Sequence, residues 1–446
     1  MADKQWSEMT PYEKRQERYR AWLAADGFEF DSPEAAKKYR ERVQRFIDAF
    51  NVEEPDRVPV SLPVGSMPVN LYGTDYYTCS YDYEKAAEVF DRFNEHFQDA
   101  DDLPGPGSVV PARVYDILDL KLYSWPGHGL PRNTGSAQFN EGEYMFPEEY
   151  DLLINNPSDF WMRRFLPRIF GALQPLESLN SLTTIFESPW HYFAAFGNPE
   201  MQQALDTMKE AGDEVMKFLK VVGEFGRKTK AAGFPSTLGG MAKAPFDMIG
   251  DTLRGTKGII MDMRRRPEKL LEALDIVTEF TIRQTLESTR HSGGVQVMFP
   301  LHKGADGWMS DKQFQTFYWP YLKKVVDALI EEGLLVYLFA EGAYETRLDS
   351  VNECPKGAVS WLFDRTDMGK AKKALGDKCC IAGNVPTSLV ITGTQQQVTD
   401  YCRNLIETCA PGGGFVLTGG AMADAGDWPN IRAMLDAALK YGVYKK

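Results

Sequence analysis

Polar residues stand where the apolar runs of this chain stop. Glu341 follows LLVYLFA, Asp364 follows AVSWLF, and Asn384 follows CCIAG. His302, Lys303 and Asp306 follow the run GVQVMFP. Asp247, Asp251 and Arg254 sit in the loop APFDMIGDTLRG, and Arg347 and Asp367 lie just beyond two of the run ends. Carboxylates, an imidazole and a guanidinium gathered at one place can move protons or orient a polar ligand. His302 and Glu341, with Asp364, are also types that ligate zinc, although no ligand-spacing signature accompanies them. Gly342 directly follows Glu341 and marks an abrupt turn at the end of a very apolar run. Asp364 suits a second role, as cap of a helix beginning near Met368.

These residues share a site only if the runs are parallel strands. Apolar runs near 235–240, 294–300, 334–340, 358–363, 379–383 and 414–418 alternate with segments of helical period. Such alternation implies parallel strands joined by crossover helices. VPVSL near 58–62 and TTIFE at 183–187 bring the strands to eight. The expected fold is a (β/α)8 barrel over 51–446, with a helical N-terminal arm over 1–50 and a long inserted loop over 99–147. The carboxyl ends of barrel strands surround one mouth, so the polar run ends should converge there. A doubly wound sheet is the alternative. It would normally carry a glycine-rich turn after its first strand, and neither GxGxxG nor GxxxxGK[ST] occurs. The arm is rich in aromatics, and arms of this kind often cover a neighbouring subunit, which makes a homodimer an expectation.

Composition narrows the partners. Fifty basic against 63 acidic residues give a net charge of −13, which disfavours nucleic acid. No apolar run approaches the roughly 20 residues that span a bilayer, and the N-terminus has no apolar signal core. A cytoplasmic protein with no membrane partner is expected. The six cysteines form no CxxC and read as free thiols.

EPDRVPV at 54–60, APFDMIGDTLRG, DKQFQTFYWPYLKKVVD and above all the stretch 383–420, which begins GNVPTSLVITGT, resemble the uroporphyrinogen decarboxylase superfamily. The resemblance spans roughly residues 40–444 and is most specific in the last 65. It implies a barrel with its active site at the carboxyl face. True uroporphyrinogen decarboxylases carry an Arg-Gln-Ala-Gly-Arg segment at the barrel start, where this chain reads SLPVGSMPVN. The other branch holds corrinoid-dependent methyltransferases. Its thiol-methylating members bind zinc through His-x-Cys-Gly and a later Cys. Here Phe339, Glu341 and Ala421 occupy those three positions.

The resemblance therefore implies methyl transfer from a small methylated substrate, such as a methoxylated aromatic, to the cobalt of a separate corrinoid protein. The chain has no Asp-x-His-x-x-Gly of its own, so the corrinoid (cobalamin) would arrive on that partner. His302 and Glu341 would act as acids or as zinc ligands, with Asp364 beside them. Asp247, Arg254, Asp306, Trp308, Tyr318, Arg347 and Asn384 would bind substrate. Decarboxylation of another carboxylic acid, or a non-catalytic binding role, are the alternatives.

Overall fold

A computed structural model describes residues 4–181, 187, 189–290 and 294–445. Three short strands lie in the inserted segment: β1 (Tyr123–Pro126), β2 (Gly129–Leu130) and β3 (Gln138–Phe139). The main sheet is β4 (Leu238–Met241), β5 (Gln296–Leu301), β6 (Leu335–Ala340), β7 (Val359–Phe363), β8 (Cys380–Val385) and β9 (Phe415–Gly419). These six are parallel and ordered as in the sequence. Each agrees with an expected strand to within a few residues. Helices Pro267–Thr289, Trp319–Glu331, Met368–Leu375, Gln395–Cys409 and Trp428–Tyr441 alternate with them.

The segment around VPVSL closes the sheet on the far side of β9. It does so through two isolated parallel bridges, Val60 to Leu417 and Val64 to Ala423, rather than a continuous strand. Prolines at 59 and 63 remove the donors a full ladder would need. On its other edge, side chains replace the ladder. Asp101 accepts the Val60 N–H at 2.8 Å and Asp102 accepts that of Leu62 at 3.2 Å. Arg42 spans the remaining gap towards β4, donating to the carbonyls of Gln98, Ala100 and Gly233. Residues 98–102 thus lie where a further stave was expected from TTIFE, and residues 183–186 of that stretch fall outside the described residues.

Alternation sorts the core into two layers. Val336, Leu338 and Ala340 of β6 join the cluster beneath the outer helices. Leu335, Tyr337 and Phe339 face the other way, packed with Leu362, Ala382 and Val416 in the barrel interior. The same interior cluster includes Tyr19 and Trp22 of α1 (Pro11–Ala24) and Tyr39, Phe46 and Phe50 of α2 (Pro33–Phe50). The arm caps its own barrel. Lys14 and Arg18 donate to the carbonyls of Glu331 and Glu332, just before β6, and Arg15 donates to Lys356, just before β7. These contacts close the amino-terminal end of the barrel and leave the carboxyl end open, and they remove the arm as an argument for a dimer. Among the described residues no helix is long and apolar enough to cross a membrane. All six cysteines are free.

Candidate active site

The carboxyl ends of β5 and β6 deliver His302 and Glu341, and the loop after β4 delivers two aspartates to meet them. Asp247 and Asp251 are four residues apart, on the turn Pro245–Asp247 that continues as a π-helix over Met248–Leu253. That spacing sets both carboxylates on one side of the turn. Asp247 accepts the backbone N–H groups of His302 and Lys303, each at 3.0 Å, and the Tyr318 hydroxyl at 2.7 Å. It therefore fixes the chain where β5 ends. Burial and the charge on Asp251 push its carboxyl up to about 6.

Asp251 is the hub. Its Oδ2 lies 2.5 Å from His302 Nδ1 and 2.7 Å from Lys243 Nζ, and its Oδ1 lies 2.9 Å from Lys303 Nζ. Burial would raise this acid, but three cationic donors hold it well below the usual carboxylate range. The other ring nitrogen of His302, Nε2, lies 3.5 Å from Glu341 Oε1. Burial disfavours the imidazolium, yet hydrogen bonding and charge from Asp251 and then Glu341 outweigh it and push His302 up to about 10. The ring is thus protonated at neutral pH, and its Nε2 side faces the mouth. Lys303 is likewise raised, its burial outweighed by Asp251 and Glu141.

Glu341 is held at the rim because Gly342 adopts a φ of 89°, which turns the chain at once after β6. The Gly342 N–H is accepted by Asp364 at 3.1 Å. Asp364 therefore ties the β7 end to the Glu341 turn. The helix cap it was offered for belongs to Asp367, which accepts the Lys370 N–H at 2.7 Å.

The other expected residues separate into two groups. Trp308 remains at the mouth, half-buried, with Lys303 Nζ 5.3 Å from its ring centre and Phe246 edge-on at 5.7 Å. Asp306 accepts the Thr346 hydroxyl at 2.7 Å and braces the loop after β6. Asn384 borders a polar cleft of about 540 Å³ that Thr366, Asp367, Lys370, Tyr401 and Asn404 also line. Its amide donates to the carbonyls of Asp364 and Thr366, and it accepts from Tyr401. Tyr318 is buried beneath Asp247 and reaches a ligand only through it. Neither expected arginine is available to substrate. Arg254 is buried, pairs with Asp262 at 2.6 Å and with Glu143, and donates to the Met145 carbonyl. Arg347 is buried over Phe314 and donates to the Met309 carbonyl at 2.6 Å.

Two groups named from sequence without an assigned role, Asp251 and Lys303, complete the site together with two that sequence did not mark, Lys243 and Glu141. Asp251 was marked by its spacing from Asp247. Lys243 stands at the end of a strand, and Lys303 adjoins His302. Glu141 carried no signal, because it arrives from the inserted segment to meet Lys303 at 3.2 Å and the Thr256 hydroxyl at 2.6 Å.

The side chains here do not fit zinc. His302 Nε2 and Glu341 Oε1 offer two ligand atoms, but the Asp251 carboxylate beside them is taken up by His302 Nδ1, Lys243 and Lys303, and the two lysines already supply positive charge there. Among the described residues no three His, Cys, Asp or Glu side chains converge to hold a metal ion. Phe339, at the position where a zinc-binding relative has His, is part of the barrel's apolar filling.

Residues 192–441 match the sequence pattern of the family described as uroporphyrinogen decarboxylase (URO-D), more than half of the chain. The chain belongs to the uroporphyrinogen decarboxylase family. The match takes in β4 to β9 with every strand-end group above, and leaves out the arm, the VPVSL segment and Glu141. Members of this family are (β/α)8 barrels, in keeping with the sheet order seen here. A solved structure of a methyltransferase from Methanosarcina mazei has the same fold, with a TM-score of 0.55 over 89% of this chain and 98% of that one. Sequence identity to it is 15%. No curated protein sequence matches the chain.

Proposed function

We propose that this protein is a methyltransferase of the uroporphyrinogen decarboxylase family. It takes a methyl group from a small methoxylated substrate, preferably aromatic, and passes it to the cobalt of a corrinoid carried by a separate protein that docks over the mouth. The observation that carries the reading is the His302 imidazolium, braced through Nδ1 by Asp251 and facing the mouth with Nε2. The similarity of fold to the methanogen methyltransferase points the same way.

An aryl methyl ether is inert because phenolate leaves poorly. A free phenol has a pKa of about 10, which is the value His302 is pushed up to. Proton transfer from Nε2 to the ether oxygen would be close to balanced as the bond breaks, which is where general acid catalysis is most effective. The carbon–oxygen bond breaks, the oxygen leaves as the neutral phenol, and the methyl carbon goes to cobalt(I). Cobalt supplies the electron pair and becomes formally cobalt(III). Glu341 would then steer the proton back to His302 from solvent. Trp308 offers a flat face for an aromatic ring.

Charge argues against a polycarboxylate substrate. Arg254 and Arg347 are both buried and paired, and the mouth lysines are held by Asp251 and Glu141. The remaining surplus is acidic, which suits a neutral ether better than a many-charged acid. The test is methyl transfer to added cob(I)alamin from a panel of methoxylated donors. Carbon dioxide release from a carboxylic acid, with no cobalt alkylation, would replace this reading.

A further inference from the structure

The helix Pro199–Ala231 packs one face on the body of the molecule, burying Met201, Ala204, Ala211, Val221 and Phe225. A second apolar stripe runs along a face that lies exposed among the described residues. Leu205, Met208, Met216 and Leu219 are 39, 37, 65 and 52% exposed. Their spacing is symmetric about Gly212: methionines stand four residues either side and leucines seven. At 100° per residue all five positions fall within one narrow sector, about 21 Å long from first to last. A Cβ built at Gly212 would meet nothing within 4 Å.

A stripe that reads the same in both directions is complementary to itself under a two-fold axis. We propose that the chain forms a symmetric dimer in which this helix packs antiparallel against its copy, the axis passing at Gly212. Leu205 then faces Leu219 of the other chain and Met208 faces Met216, the self-matching contact that a two-fold interface requires. The spacings of three, four, four and three keep the stripe on one face and suit shallow antiparallel helix packing. Glycine at the crossing lets the two backbones approach closely.

Charge supports the same register. Lys209 and Asp213 lie on one flank of the stripe, and the axis sets each beside the other's copy. Asp206 on that flank is brought near Lys217 and Lys220 of the other chain. More broadly, the helix is acidic before Gly212 (Glu200, Asp206 and Glu210 against Lys209). It is basic after it (Lys217, Lys220, Arg227, Lys228 and Lys230 against Asp213, Glu214 and Glu224). An antiparallel pair sets the acidic half of each helix on the basic half of the other, whereas a parallel pair would oppose like charges. The inference is independent of the proposed chemistry, since this helix contributes nothing to the mouth.

Sedimentation velocity of the full chain tests it. The wild type should sediment at twice the 50.4 kDa chain mass at micromolar concentration. Met216→Lys should be monomeric with an unchanged thermal melt. Lys209→Asp should weaken the dimer at least tenfold, and Lys209→Asp/Asp213→Lys should restore it, because the swap re-forms the pair across the axis. Gly212→Cys should cross-link to a covalent dimer under mild oxidation by diamide, since the axis brings the two new thiols together. A monomeric wild type overturns the proposal. So does a Met216→Lys dimer as tight as wild type, a double swap that stays as weak as the single one, or a folded Gly212→Cys that fails to cross-link.

Discussion

His302 Nδ1 lies 2.5 Å from Asp251 Oδ2, a contact made between two barrel loops 51 positions apart in the sequence. The aspartate fixes the ring's direction and keeps its proton in place. Asp251→Asn removes that charge while keeping the shape. His302 should then fall from about 10 towards the ordinary 6.5. The loss of methyl transfer on the alkaline side, centred near pH 10 in the wild type, should move towards neutrality. A pH–rate profile of both proteins checks this, and an unmoved alkaline limb would disconnect Asp251 from the acid.

The same shift has a sign for stability. The folded pKa of His302 lies above its unfolded value, so the fold binds this proton more tightly than the unfolded chain does. Its contribution should be fully present below about pH 6.5 and lost as pH rises through about 10. Urea unfolding of wild type and His302→Gln at pH 6, 8 and 10 should show the gap between them closing as pH rises. A gap that widens would contradict the assignment.

Arg254 is a fold residue rather than a substrate ligand. It is 2% exposed, and its partner Asp262 is fully buried and also accepts the Tyr150 hydroxyl. Arg254→Met should cost about 3–5 kcal/mol, the usual effect of leaving one partner of a buried pair uncompensated. Where the variant is still folded, KM should stay near that of the wild type. Urea unfolding and steady-state kinetics separate the two roles, since a ligand would raise KM at unchanged stability.

Metal removal should leave the activity intact. The mouth pairs His302 with carboxylates and lysines, and among the described residues no zinc ligand set is present. Dialysis against a chelator, followed by assay with and without added zinc, should give equal rates. A rate that falls with the chelator and returns with zinc would overturn the reading of His302 as an acid.

Much of the barrel was legible because parallel strands buried on both faces are written as continuous apolar runs, as LLVYLFA and AVSWLF show. Strand ends were legible for the same reason, and they led to His302, Glu341, Asp364 and Asn384. The site's wiring was harder to read. Glu141 reaches the mouth from a segment outside the barrel repeat, and nothing local distinguishes it from a surface glutamate. Arg254 and Arg347 stand near strand ends just as His302 does, but their partners Asp262 and Met309 bury them. No spacing rule separates a buried arginine from an open one. The first stave was recognised but does not form a full strand, because prolines remove donors from its ladder.

The most direct test follows cobalt. Purified wild type, given cob(I)alamin and methoxylated aromatic donors under reducing anaerobic conditions, should convert the cobalt(I) absorbance to that of methylcobalt. His302→Gln should lose about 10²–10⁴-fold in that rate, the usual contribution of a positioned acid. No cobalt alkylation from any donor, or a His302→Gln rate equal to wild type, would contradict the account.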